Sequence, residues 1–293
     1  MEPRALIPLL IQVSTMLIIF AIGMRGRWSD LGYAVARPSL LIRGFIAVYV
    51  AVPVTAFVAA SLLPMEPHVK IGIVAMGLSP LAPFVAGKML KAGADTPYVI
   101  GVYAALLLLA VIAVPATLLL VTSITGGSAT IGVADVTWLI ASTILIPLLI
   151  GIALAGLVPA AAPSIARIAT IAGSLTIVLI LILILYVSGD KLLGLVGNGT
   201  LLAIVLAQLA GLATGHWLGG PDLGQRMALA QAAATRHPGL AILMVSENFK
   251  NPSNILPAVL LYLVVGIVVS ALYERLVAPR QGPGPTSKTA LSD

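Results

Sequence analysis

Apolar residues in this chain arrive in blocks of about 20, the length that carries a helix across a hydrocarbon layer of roughly 30 Å. Nine such blocks lie near residues 6–24, 40–63, 69–90, 97–121, 136–158, 164–188, 200–220, 227–247 and 254–274. In lipid every backbone polar group must find a partner within the chain, so blocks of this kind are helices. A membrane β-barrel would show alternating stretches of about 10 residues instead, and no such alternation is visible. Short turn-like connections separate the blocks, at Pro64-Met65-Glu66-Pro67, Thr125-Gly126-Gly127-Ser128 and Ser188-Gly189-Asp190. The pattern predicts an all-α polytopic membrane protein with one transmembrane domain over 1–279. A disordered cytoplasmic tail is expected over 280–293, where Gly and Pro dominate.

Composition agrees: 60% of the 293 residues are hydrophobic and 9% charged, against roughly 25% charged in a soluble domain. The net charge of +6 would suit nucleic acid or an anionic surface, but its distribution argues otherwise. Sorting Lys and Arg by alternate loops places Arg25, Arg27, Arg37, Arg43, Lys88, Lys91, Arg167, Arg226, Arg275, Arg280 and Lys288 on one side. Arg4, Lys70, Lys191 and Lys250 fall on the other, and Arg236 on neither. The positive-inside bias then predicts an amino terminus outside and a cytoplasmic carboxyl terminus, with no call for nucleic acid. There are no cysteines, which excludes disulfides, thiolate metal sites and cysteine catalysis. His68, His216 and His237 lack metal-ligand spacing, and no cofactor motif appears.

Two blocks are interrupted. The third carries Ser79-Pro80-Leu81-Ala82-Pro83, and the eighth carries Thr235-Arg236-His237-Pro238-Gly239. Proline removes a backbone donor and clashes with the preceding turn, so each stretch is expected to unwind. Five spans separate the two breaks, so the broken helices run in opposite directions, as in an inverted-topology repeat whose interrupted helices meet near the midplane at the substrate site. Two unrelated proline kinks are the plainer alternative.

All ten carboxylates fall in loops or at helix ends, whereas Arg236 lies about nine residues into its span with His237 beside it. A charge at that depth is costly and normally faces a cavity or a partner. Two roles are open to Arg236. It can bind an anion, since guanidinium grips carboxylate or phosphate with two N–H groups, or it can satisfy unwound backbone carbonyls. His237 is a proton-coupling candidate or a structural histidine. Lys88 either reaches the cytoplasmic surface or lines the path. Thr235, Gln231, Pro238, Ser79, Pro80 and Pro83 complete the candidate substrate or ion site. Gln12, Ser14 and Thr15 are weaker candidates, because Ser and Thr often bond their own helix.

These residues carry a resemblance. Phe20-Ala21-Ile22-Gly23-Met24, then Trp28-Ser29-Asp30-Leu31 and Arg37-Pro38, resemble the first helix and loop of the bile acid–sodium symporter family, within the group of bile, arsenite and auxin-type carriers. Gly77-Leu78-Ser79-Pro80 sits where that family has a Gly-Cys-Cys-Pro-Gly-Gly break, and Pro238-Gly239-Leu240-Ala241 where it has Asn-Ser-Gly-Leu-Ala. The resemblance implies a nine-span form in which two broken helices cross in a core domain beside a panel domain, with substrate between the two. It also exposes departures. Sodium-coupled members hold two ions with a Glu, Gln and Asn/Ser set; aligned here, the glutamate falls on Ala232, one glutamine on Arg236, another on Val48, and the Ser-Asn pair on Val85 and Ala86. Hard cations need oxygen ligands, which alanine and valine side chains lack.

The expectation is a secondary transporter of a small organic anion in a bacterial plasma membrane, working by alternating access. It is expected not to be sodium-coupled, with Arg236 as a fixed charge where sodium would sit and a proton as the other candidate coupling ion. The alternative is a sodium symporter with rebuilt ion sites. An intramembrane enzyme lacks buried Asp, Glu or Cys for its chemistry, and a sensor lacks a soluble signalling domain.

Overall fold

The computed structural model describes residues 3–82, 85–125, 133–248 and 255–277. Pro83 and the expected tail 280–293 lie outside the described residues. The described regular structure is helical: α1 Pro3–Gly23, α2 Trp28–Val35, α3 Pro38–Phe45, α4 Val52–Leu62, α5 Pro67–Leu78, α6 Val85–Lys91 and α7 Thr96–Thr125. There follow α8 Val133–Ile140, α9 Ile146–Leu157, α10 Ala162–Gly194, α11 Thr200–Leu218, α12 Leu223–Ala234, α13 Pro238–Asn248 and α14 Leu256–Val277. The chain is thus an all-α polytopic membrane protein.

Five runs are long and apolar enough to cross a membrane by themselves: Pro38–Leu62, Thr96–Leu119, Ala162–Ile180, Thr200–Leu218 and Leu256–Val277. A sixth is Leu9–Gly23 with Trp28–Val35, bent by 91°. The remaining expected blocks fall on shorter helices: α5 with α6, α8 with α9, and α12 with α13.

The structure corrects three local readings. Residues 28–35, read as connection, form the short helix α2, whose first turn is capped when the Arg27 N–H donates to Asp30 Oδ2 at 2.9 Å. Ser188-Gly189-Asp190, read as a turn, lies within α10, which runs on to Gly194. The turn sits instead at Gly197-Asn198-Gly199, where all three residues take positive φ (150°, 45° and 83°) that Gly and Asn tolerate best. The blocks at 40–63 and 136–158 are helical throughout but widen to π-helix at Ile46–Ala51 and Ala141–Leu145.

Small residues bring the helices together, as expected where lipid competes with any apolar contact. Gly211 and Gly215 on α11 and Gly219 just past its end, four apart, line the face that meets α12. A Cβ on Gly215 would stand 2.5 Å from the Ala230 Cα, and one on Gly219 2.5 Å from the Arg226 Cα. This close seam presses α12 onto α11 just ahead of the second break. Gly23 and Gly151 play the same part between α1 and α9, and α1 also packs along α10. The other helices gather around the two breaks: α11 against α12, α4 and α14, and α5 against α4, α13 and α14.

Candidate functional site

Both interrupted spans unwind where the prolines predict, and the two breaks meet. Leu81 and Arg236 form an antiparallel bridge. The Ala82 N–H donates to the Thr235 carbonyl at 3.1 Å, and the His237 N–H to the Pro80 carbonyl at 3.0 Å. A two-stranded crossing is thereby made from chain that neither helix can use. Two backbone groups on each strand are thereby paired inside the protein, as unwinding at membrane depth requires.

Arg236 closes this crossing. Its side chain is 2% exposed; one amino group donates to the Ser79 carbonyl at 2.9 Å and the other to the Val48 carbonyl. Proline explains why both acceptors are free. A helix continued through the first break would pair the Ser79 carbonyl with the N–H of residue 83, and that residue is Pro83. Val48 lies in the π-helical stretch, where carbonyls pair five residues on, and the fifth residue is Pro53. Arg236 therefore supplies, from 157 and 188 residues away, donors that two prolines withhold. Among the described residues no carboxylate pairs with it.

The remaining candidates divide between backbone service and a cavity. Ser79 and Pro80 contribute carbonyls; the Ser79 hydroxyl turns back to the Met76 carbonyl at 2.8 Å. Pro238 opens α13 as its first residue, and His237 caps it: the ring Nδ1 accepts the Leu240 N–H at 3.1 Å. That is the geometry of a helix-capping side chain three residues ahead of its donor; the other ring nitrogen, Nε2, is buried with no hydrogen-bond partner among the described residues. Thr235 and Arg236 line a cavity of ≈ 230 Å³. So does Lys88, which is half-buried; its Nζ donates to Gln231 Oε1 at 3.5 Å, and the Gln231 amide in turn to the Ser270 carbonyl at 3.5 Å. Pro83 lies outside the described residues. On α1, Gln12 donates to Thr143 at 3.4 Å and Ser14 bonds the Ile11 carbonyl at 2.8 Å. Neither of these, nor Thr15, lines the cavity.

Sequence reasoning missed the far wall of that cavity. Gln208 on α11 and Tyr262 and Ser270 on α14 line it and are almost fully buried. Each is a polar group inside an apolar span, a signal that could have singled them out. The five positions aligned with sodium-ligand side chains, Val48, Val85, Ala86, Ala232 and Arg236, are all buried, and the four apolar ones belong to one hydrophobic cluster.

Apolar helices and two broken spans that meet at a buried crossing, with a small cavity beside it, define a polytopic membrane protein. The family model described as "Sodium Bile acid symporter family" matches residues 13–195, and the chain belongs to that family. The matched segment holds the first break and Val48; the second break, with Arg236, lies beyond it. No curated protein matches the chain.

Proposed function

We propose that the protein is a secondary transporter that moves a small organic anion by alternating access without drawing on sodium, Arg236 serving as a built-in cation. It is placed in a bacterial plasma membrane with the amino terminus outside and the carboxyl terminus cytoplasmic, as the distribution of Lys and Arg favours.

One observation carries this reading: the Arg236 guanidinium donates to the Ser79 and Val48 carbonyls at the point where the broken helices cross. Inward-turned carbonyls freed from helix hydrogen bonds are what a bound sodium ion would use. Here a tethered charge occupies them. Two cations cannot share one set of acceptors at this depth without strong mutual repulsion. The neighbouring side chains of Ala232, Val85 and Ala86 have no oxygen to offer a second ion. The anion supplies the negative charge that the protein withholds from Arg236, drawn also by the amino-terminal end of α13 two residues on.

The family's name favours the competing reading, a sodium symporter with rebuilt ion sites. Uptake of radiolabelled organic anions into proteoliposomes, with sodium replaced throughout by choline, separates the two. The proposal expects uptake at an undiminished rate in choline. Uptake that collapses without sodium would return the symporter reading to first place.

A further inference from the structure

The bend after α1 creates a surface that transport chemistry leaves unused. Helix α2 turns away from α1 by 91°, so where α1 crosses the membrane α2 lies roughly in its plane. With 8 residues it is far too short to span. One side of α2 is fixed to the bundle: Leu31 and Tyr33 pack against the main hydrophobic cluster and Ala34 is fully buried. Gly101 on α7 permits the close approach, since a Cβ there would stand 2.6 Å from the Asp30 carbonyl oxygen and 2.7 Å from the Tyr33 Cβ. The opposite stripe, Trp28, Gly32 and Val35, follows one helical face and points out of the protein, with Trp28 57% and Val35 67% exposed. A helix docked this tightly cannot roll to hide the stripe.

Arginines frame it. The segment 25–43 holds four, Arg25, Arg27, Arg37 and Arg43, all exposed, against one acid, Asp30, whose Oδ2 already accepts the Arg27 N–H. Two of the four are held in place. Arg25 donates to the Thr170 hydroxyl at 3.2 Å, one turn along α10 from the exposed Arg167. Arg37 stacks 3.9 Å over the Tyr33 ring and donates to the Tyr33 carbonyl at 3.2 Å. A guanidinium has five N–H donors, so both keep most of theirs for an outside partner.

We propose that α2 and these arginines form a docking surface for anionic phospholipid. Trp28 and Val35 enter the boundary between headgroups and acyl chains, where an in-plane helix with an apolar face and a Trp settles. The arginines grip the lipid phosphates with paired N–H groups. Charge selects this occupant over a second copy of the chain, which in a two-fold contact would set one basic patch against another. Each Arg near an anionic surface favours it by about fivefold. The proposal is independent of the coupling ion and of the substrate.

The test uses the full chain carrying Trp138→Phe and Trp217→Phe, both exposed positions, so that Trp28 alone reports. The protein is placed in vesicles of equal parts phosphatidylcholine and phosphatidylglycerol, with bromine on the acyl chains of one lipid or the other. Brominated phosphatidylglycerol should quench Trp28 more strongly, corresponding to a preference of about fivefold or more that shrinks in high salt. Arg27→Gln with Arg37→Gln should bring the two lipids to parity while quenching persists, and retained cooperative melting confirms that the variant folds. Equal quenching by both lipids in the parent protein overturns the proposal, as does a preference that survives the double substitution. Quenching by neither lipid also overturns it; a doubled protein mass in detergent would then make the stripe a contact between copies.

Discussion

The two breaks look alike as sequence, each a proline-bearing interruption of an apolar span, yet they do opposite work. The first, Ser79 to Ala82, offers backbone alone: carbonyls of Ser79 and Pro80 and the N–H of Ala82. Its side chains turn away or pack into apolar surroundings, the Ser79 hydroxyl back onto its own helix and Leu81 into the core. The second break offers side chains: Arg236 reaches across to two carbonyls, His237 caps the helix that follows, and Thr235 lines the cavity. One break works through its backbone, and the other brings the cation to the Ser79 carbonyl and to Val48 beyond it. In a symmetric crossing neither half could satisfy itself, and a diffusible ion would have to complete it. In the proposed function that ion's place is taken by a residue, Arg236.

Arg236→Ala tests this difference most severely. It leaves the Ser79 and Val48 carbonyls buried without donors, at about 1–3 kcal/mol each. The expected outcome is a protein that melts many degrees lower in detergent and takes up no anion. A variant as stable and active as the wild type would break the comparison. Arg236→Lys keeps the charge but can reach the two acceptors only as a point donor, and should fall between.

His237→Ala removes a helix cap and should cost about 1 kcal/mol, read as a modest drop in melting temperature that His237→Asn recovers. The pH dependence of anion uptake should be the same in wild type and both variants. A pH profile that flattens in His237→Asn would make the residue the proton-coupling group that its position in the sequence also allowed.

The smallest effect belongs to the first break. Ser79→Ala removes a hydroxyl that bonds only within its own helix, and should change stability by less than about 1 kcal/mol, with uptake unchanged. A large loss of uptake would mean that the first break also works through a side chain.

These contrasts mark how far the sequence could be read. The all-helical character was legible because lipid enforces one rule on every apolar block, with five or six runs long and apolar enough to cross a membrane. The breaks were legible because two prolines fall close together or beside polar residues there, whereas the lone Pro115 stays inside α7. Arg236 stood out as the one basic residue that neither side of the membrane claimed. Its acceptors did not, since Val48 looks like any valine until the π-helical register and Pro53 are seen together, 188 residues from the arginine. The cavity wall from α11 and α14 was illegible for the same reason: Gln208 and Tyr262 acquire meaning only from what packs opposite them. Helix α2 was too short, and its pattern too mixed, to separate from a loop.

The central claim, that Arg236 has taken the place of sodium, is met most directly by the thermal stability of the purified wild-type protein in sodium chloride against choline chloride at equal ionic strength. A ligand that binds only the folded state raises the melting temperature by mass action. The account predicts the same melting temperature in both salts up to the highest concentration tried. A melting temperature that climbs with sodium and saturates would show an intact ion site beside Arg236, and would contradict the account.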